Sequence, residues 1–356
     1  MRQVLPDTYR SIEESELIAR IKDKKHELGN KLVILGHHYQ IPQIVALSDF
    51  RGDSFELSRL ASQQKEARDI VFCGVHFMAE SAAVLAQYHQ RITLPDMDAG
   101  CPMADMAELS QVENCWEALT SVFPADDIVP ITYMNSSAAI KAFCGTHGGL
   151  VCTSSNSDKA FHRAFENYNR LLFLPDEHLG RNTVNMLDIP KDQVVRWDPT
   201  LSDGGVKTDK LKQAKVILWK GYCHVHTYFR PKHIHKARER FPDAYIIVHP
   251  ECPETVTALA DDMGSTGKIV RAVVDAKPGS TIVIGTEIHL VIRLAMEHPD
   301  KTVVPLTRSL CPNMFKISLN DLLWVLDNLG DINIITLSDD IKQPAKLALQ
   351  RMLELQ

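Results

Sequence analysis

Residues 31–40 read KLVILGHHYQ, a short aliphatic run that breaks at once into glycine, two histidines and a tyrosine. A brief, uninterrupted apolar run marks a strand buried on both faces, and the break straight after it places polar groups at the strand's carboxyl end. The figure recurs in DIVFCGVHF (69–77), DIVPITYMNSS (127–137), GLVCTSSN (149–156), RLLFLPDEHLG (170–180), KVILWKGYCHVH (215–226), AYIIVHPEC (244–252), STIVIGTEIH (280–289) and TVVPLTRSLC (302–311). Amphipathic stretches such as SRLASQQKEAR, MAESAAVLAQYHQ and ALADDMGSTGKIVRAVVDA lie between the runs. Strand alternating with helix predicts an α/β fold of parallel sheets covered on both faces. The nine runs fall into three groups of about three, each finishing near a cysteine in a loop-like setting: Cys101 in DAGCPMAD, Cys223 in WKGYCHVH and Cys311 in TRSLCPNM. This grouping favours three small sheets over one large one, with domains at 1–104 (joined by 312–356), 105–225 and 226–311.

The composition narrows the function. With 356 residues, 45% hydrophobic and 24% charged, the chain is long enough for two or three cores. A net charge of −6 without a basic stripe argues against nucleic acid as a partner. No window approaches 18 uninterrupted apolar residues and the opening MRQVLPDTYRSIEESELIARIKDKKHELG is charged throughout, so a cytoplasmic protein without a membrane span is expected. There, eight cysteines without a C-x-x-C pair favour thiol, metal or cluster chemistry over a disulfide framework.

In parallel α/β units the carboxyl ends of strands carry the functional groups, together with helix N-termini and free backbone amides. Here that edge collects His37, His38 and Tyr39, Tyr133 and Asn135, Ser154 and Asn156, and His249 and Glu251, with GSTG at 264–267 suited to a carboxylate or phosphate. Taken singly, each has an ordinary reading: a histidine after a strand is more often a packed residue than a catalyst, and TSSN is most simply a helix cap. Cys73, Cys115, Cys144 and Cys152 read as small core residues, while Cys252, beside His249, stays open. Cys101, Cys223 and Cys311 lie about a hundred residues apart and cannot form a local metal knuckle. Any site they share needs three parts of the fold to converge, and three thiolates on one iron-sulfur cube leave its fourth iron open for a substrate. A zinc hydrolase drawing on His37, His249, Glu251 and a cysteine is one rival, though its usual tight ligand spacings are absent. A non-catalytic iron-sulfur sensor is another, with little need for the His, Tyr, Ser and Glu array.

The ordered series GHHYQIPQIVALSDFRGDSFELSR, GVHFMAESA, DAGCPMADM, TYMNSS, CTSSN, GYCHVH, VHPEC, GSTG, IGTEIHL and LCPNMFKISL resembles the motif series of the quinolinate synthase family of NAD biosynthesis, from about residue 30 to 330. The resemblance implies three similar three-layer α/β/α domains around a pseudo-threefold axis with the active site at the centre. It also implies a transferase that condenses iminoaspartate with dihydroxyacetone phosphate, losing phosphate and water. Cys101, Cys223 and Cys311 would then ligate one oxygen-sensitive 4Fe-4S cluster with one open iron acting as a Lewis acid. His37, Ser54, Tyr133, Asn135, Ser154, His249, Glu251, Ser265 and Thr266 match the family's substrate contacts. Glu251 with His249 matches its acid–base pair, and Tyr39 and Tyr133 are further proton-transfer candidates. A buried carboxylate beside an anionic substrate suggests a raised pKa for Glu251. His226, Lys220 and Arg230 stay outside this set. A transient contact with the enzyme that supplies iminoaspartate is compatible with the chemistry.

Two departures qualify the resemblance. The interval from Cys101 to Cys223 is 122 residues against 88 from Cys223 to Cys311, which points to an insertion near 157–212 in the middle domain. Some family members carry a C-x-x-C-x-x-C run near the third ligand; here only Cys311 is present, so disulfide regulation is not expected there.

Overall fold

A computed structural model describes residues 4–355. Its strands are β1 (Leu32–His37), β2 (Phe50–Gly52), β3 (Asp69–Cys73), β4 (Arg91–Thr93), β5 (Ile128–Tyr133), β6 (Leu150–Cys152), β7 (Arg170–Leu174), β8 (Val194–Trp197), β9 (Val216–Trp219), β10 (Tyr245–Val248), β11 (Asp262–Met263), β12 (Thr281–Gly285) and β13 (Thr302–Pro305). They form three small sheets with the orders β2-β1-β3-β4, β6-β5-β7-β9-β8 and β11-β10-β12-β13, and every strand pair is parallel. Parallel neighbours need a crossover, and helices supply them. β1 and β5 are buried at all six of their positions, as strands covered on both faces must be.

All three sheets share one plan. The first strand is central, the second lies at one edge, and the third and fourth follow on the other side. In the middle sheet β9 takes the fourth place and β8 is an extra edge strand. This strand outside the shared plan, β8, lies between helix Glu177–Met186 and β9. The extra strand is seated by Gly204, at φ +62°, whose missing Cβ would lie 2.2 Å from the Trp197 ring. Lys220 ties it to the end of β9, donating its backbone N–H to Trp197 at 2.9 Å and its Nζ to Asp198 at 2.5 Å.

The chain divides into two compact units, one running to Cys101 and joined by Leu310–Ser338, the other spanning Pro102–Ser309 with the C-terminal helix Asp339–Leu353. The first unit holds the β1 sheet. Its returning helix Leu319–Asp327 is capped reciprocally by Ser318 and Asp321 and receives Arg20 at 2.9 Å and Tyr9 at 3.1 Å on Asp327. The second unit holds the other two sheets. Its C-terminal helix packs on helix Ala138–Thr146 so closely that a Cβ on Gly145 would fall 1.9 Å from the Pro344 carbonyl oxygen. That gap admits only glycine, because backbone on both sides cannot yield as a side chain would. Gly145→Ala is expected to lower the unfolding free energy by roughly 1–3 kcal/mol through overpacking. Denaturant titration checks this, and an unchanged midpoint would contradict the packing.

Candidate active site

The second unit gathers a buried polar array at the carboxyl ends of β5, β9, β10 and β12. Tyr133 ends β5, His249 and Glu251 follow β10, His226 follows β9, and Thr286 follows β12. Tyr133 Oη donates to Glu251 Oε1 at 2.6 Å. His226 Nδ1 lies 2.8 Å from Glu251 Oε2, and its Nε2 lies 3.0 Å from Thr286 Oγ1. A carboxylate only accepts, so Nδ1 of His226 carries a proton, and in the neutral ring Nε2 accepts from the threonine hydroxyl. The His226 and His249 rings stack at 4.3 Å with 19° between their planes. Glu251, His226 and His249 are each 2% exposed and Thr286 is fully buried.

Burial alone would raise the Glu251 carboxyl. Positive charge on the His226 and His249 rings when they are protonated, with hydrogen bonds from His226 and Tyr133, outweighs it and holds the group well below the ordinary carboxylate range. The raised value expected from the sequence concerns the carboxylate beside an anionic substrate and a cluster; its protein neighbours act in the opposite direction, because two imidazoles and a phenol surround it. Asp176, at the end of β7, goes the other way: burial first and the Glu251 charge second push its carboxyl well up, against two backbone N–H groups at 2.8 Å on one oxygen.

Equivalent loops are built alike. The backbone N–H of Glu251 reaches Nδ1 of His249 at 3.3 Å, and that of Tyr39 reaches Nδ1 of His37 at 3.1 Å. In each H-x-Y or H-x-E motif the backbone makes Nδ1 an acceptor, so the neutral ring keeps its proton on Nε2. In the first unit His37 is buried and sets its ring edge-on to Tyr39 at 4.8 Å. Gln40 is fully buried and donates to the Met314 carbonyl at 3.2 Å, tying this loop to the one after Cys311. Ser54 opens helix Ser54–Gln63 behind β2.

Ser154 and Ser265 meet in a cleft of about 170 Å³ whose lining also includes Gly264, Lys268 and Arg271. Ser265 caps helix Thr266–Asp275, accepting from the Lys268 backbone at 3.4 Å. Asn135 is half-buried two residues past Tyr133. Of the charges left outside the predicted set, Lys220 pairs with Asp198, and Arg230 donates to the Phe229 carbonyl at 3.0 Å. His226 instead touches Glu251, a member of that set. Its CHVH setting places it three residues from Cys223, and Thr286 stands in the IGTEIHL motif, but neither spacing reveals that His226 bonds Glu251 and Thr286 bonds His226.

Cys101, Cys223 and Cys311 are half-buried, whereas the other five cysteines are buried. Along the chain each of the three follows the strand of fourth place in a sheet: Cys101 after β4, Cys223 after β9 and Cys311 after β13. Cys223, His226 and Glu251 each offer a metal-ligating atom, all within 4.8 Å of one another. Among the described residues no helix is long and apolar enough to cross a membrane.

Comparison with known proteins agrees with the motif series. The family model described as quinolinate synthetase A protein matches residues 19–354. A quinolinate synthase of Corynebacterium glutamicum is 49% identical over 99% of this chain and 91% of its own length. One from Acidobacterium capsulatum is 49% identical over 98% of this chain and 95% of its own length, and one from Halalkalibacterium halodurans is 49% identical over 98% and 96%. With near-complete coverage at this identity and the motifs in the same order, the chain belongs to the quinolinate synthetase A protein family.

Proposed function

We propose that this chain condenses iminoaspartate with dihydroxyacetone phosphate to quinolinate, releasing phosphate and water, and that Cys101, Cys223 and Cys311 hold a 4Fe-4S cluster. The observation that carries the reading is the buried Tyr133, Glu251, His226 and Thr286 array beside Cys223. The donor set suits the cluster. Burial pushes the thiols of Cys73, Cys115, Cys144, Cys152 and Cys252 up, out of the range in which a thiol ionises near neutrality. That leaves three half-buried cysteines on equivalent loops. When bound through three cysteines, such a cluster offers one open iron as a Lewis acid for substrate oxygen or nitrogen.

The side chains supply the proton handling. Tautomerisation and dehydration need a group that removes a carbon-bound proton and one that protonates a departing hydroxyl, each contributing about 10² to 10⁴ in rate. Glu251, ionised by its neighbours, is the base. Tyr133, already donating to it at 2.6 Å, and His249, with its proton on Nε2, serve as the acids beside it. Tyr39 is a further donor. His226, backed by Thr286, keeps Glu251 charged and turned. His37, Ser54, Asn135, Ser154, Ser265 and Thr266 hold the substrate's anionic groups, and Lys268 and Arg271 add positive charge to the Ser154–Ser265 cleft. A mononuclear metal on Cys223, His226 and Glu251 is disfavoured, because both imidazole nitrogens of His226 are engaged, with Glu251 and Thr286.

Anaerobic iron and sulfide analysis with absorption spectroscopy and a quinolinate assay tests the reading. About four irons per chain are expected, lost in Cys101→Ala, Cys223→Ala and Cys311→Ala alike, together with quinolinate formation. Zinc in place of iron, or a cluster without turnover, overturns it. Glu251→Gln is expected to keep its iron and lose about 10² to 10⁴ in rate. His226→Ala is expected to keep its iron too, with turnover falling roughly 10²-fold; loss of metal in that variant would instead make His226 a ligand.

A further inference from the structure

We infer that Asn182 is a positioning residue for the reaction, and that its helix, Glu177–Met186, sets the separation between the Cys223 loop and the Glu251 carboxylate. The inference rests on the acid–base reading of Glu251 given above. Asn182 is 2% exposed and lies 69 residues before Glu251 in the chain. Its side-chain amide donates one N–H to the Pro250 carbonyl at 2.7 Å and the other to the Cys252 carbonyl at 2.8 Å. It thus grips the backbone immediately before and after Glu251. The amide oxygen accepts from Thr257 Oγ1 at 2.9 Å. Two carbonyls can only accept, so the orientation of the amide is fixed by its partners, and its two donors and its oxygen are all engaged.

The same helix holds the other loop. The backbone N–H of Glu177, its first residue, donates to the Gly221 carbonyl at 2.9 Å, two residues before Cys223. Gly221 itself lies so close to Pro175 that a Cβ would fall 2.2 Å from the Pro175 carbonyl oxygen. Gly180 lets the helix sit directly on β7 and β9, since a Cβ there would meet Leu218 at 2.5 Å and Phe173 at 2.6 Å. One end of the helix therefore grips the Cys223 loop and its middle grips the Glu251 loop, and the ligand atoms of Cys223 and Glu251 lie within 4.8 Å. A rigid element bonded to both loops keeps that spacing. Its loss should act on turnover more than on binding, because a misplacement of about 1 Å can cost around 10²-fold in rate.

Asn182→Ala, Val184→Ala and Glu251→Gln, prepared anaerobically as holoenzymes, form the test, with iron content, Tm, kcat and KM measured on each. Val184 is the control, since it is fully buried on the same helix and its truncation leaves the Asn182 bonds to Pro250 and Cys252 in place. The expectation is that Asn182→Ala keeps its iron and a KM within about 3-fold while kcat falls roughly 10- to 100-fold, and that Val184→Ala lowers Tm without a comparable loss of kcat. Equal kcat in the two variants, or a loss confined to KM, overturns the inference. Should Asn182→Ala not fold, Thr257→Val decides, because it releases the amide oxygen and leaves the rest of the loop intact; a kcat loss of roughly 3- to 10-fold supports the inference and an unchanged kcat overturns it. An inactive Glu251→Gln beside a fully active Asn182→Ala overturns the positioning role alone. A Glu251→Gln enzyme of near-normal rate overturns the acid–base reading and this inference with it.

Discussion

An ionised carboxylate taken out of water costs several kcal/mol unless its oxygens are given donors of matching geometry. Glu251 is buried and ionised, and the chemistry of the second unit's array depends on how that cost is offset. Tyr133 serves one oxygen and His226 the other, and they come from the ends of different strands, β5 and β9. Thr286, after β12, engages the far nitrogen of His226, so three parallel strands besides the carboxylate's own contribute to one charge. Parallel sheets suit this demand, because each delivers its strands' carboxyl ends to one edge, and here the edges of two sheets of the second unit, holding β5 and β9 and holding β10 and β12, supply the partners. Truncating any of these partners strands a charge in the interior, which is why the array should respond as a unit and resist piecemeal replacement.

Much of this architecture can be read from the residues. Each of the nine apolar runs that break into polar groups coincides with a strand, from KLVILGHHYQ at β1 to TVVPLTRSLC at β13. Four further strands escape such reading: β2, β4, β8 and β11, with sequences FRG, RIT, VVRW and DM. All four lie at sheet edges and span two to four residues. An edge strand is paired along one side only and need not be apolar throughout, so the neighbouring strand specifies it more than its own residues do. The extra edge strand β8 cannot be read from the long interval between cysteines, because its seating depends on Trp197 meeting Gly204, a contact that periodicity does not encode.

The polar groups divide in the same way. His37 and Tyr39 in the first unit, and Tyr133, His249 and Glu251 in the second, are visible because each stands in the polar break at the end of a strand. His226 and Thr286 matter because of what they touch: His226 is 25 residues from Glu251 and Thr286 is 60 from His226. The charge state of Glu251 depends on contacts of the same kind. Burial is suggested by composition, whereas the opposing imidazoles arrive from elsewhere in the fold, and their balance decides the sign.

The shared plan of the three sheets explains how similar scaffolds carry different chemistry. The loop after each central strand presents a polar residue and another two positions on: His37 with Tyr39, Tyr133 with Asn135, and His249 with Glu251. In the two loops that begin with histidine, the backbone N–H of the third residue fixes the imidazole, so the motif specifies a tautomer as well as a position. The loop after each strand of fourth place carries a cysteine. The carboxylate arises in one of these loops, the one after β10. The middle sheet shows how growth is accommodated, since β8 is added outside β9 and leaves the order of the other four strands intact. An insertion within the ladder would have changed which strand precedes Cys223, and with it the approach of Cys223 to His226 and Glu251. An added edge strand lengthens the chain without moving the strand ends from which those three residues project.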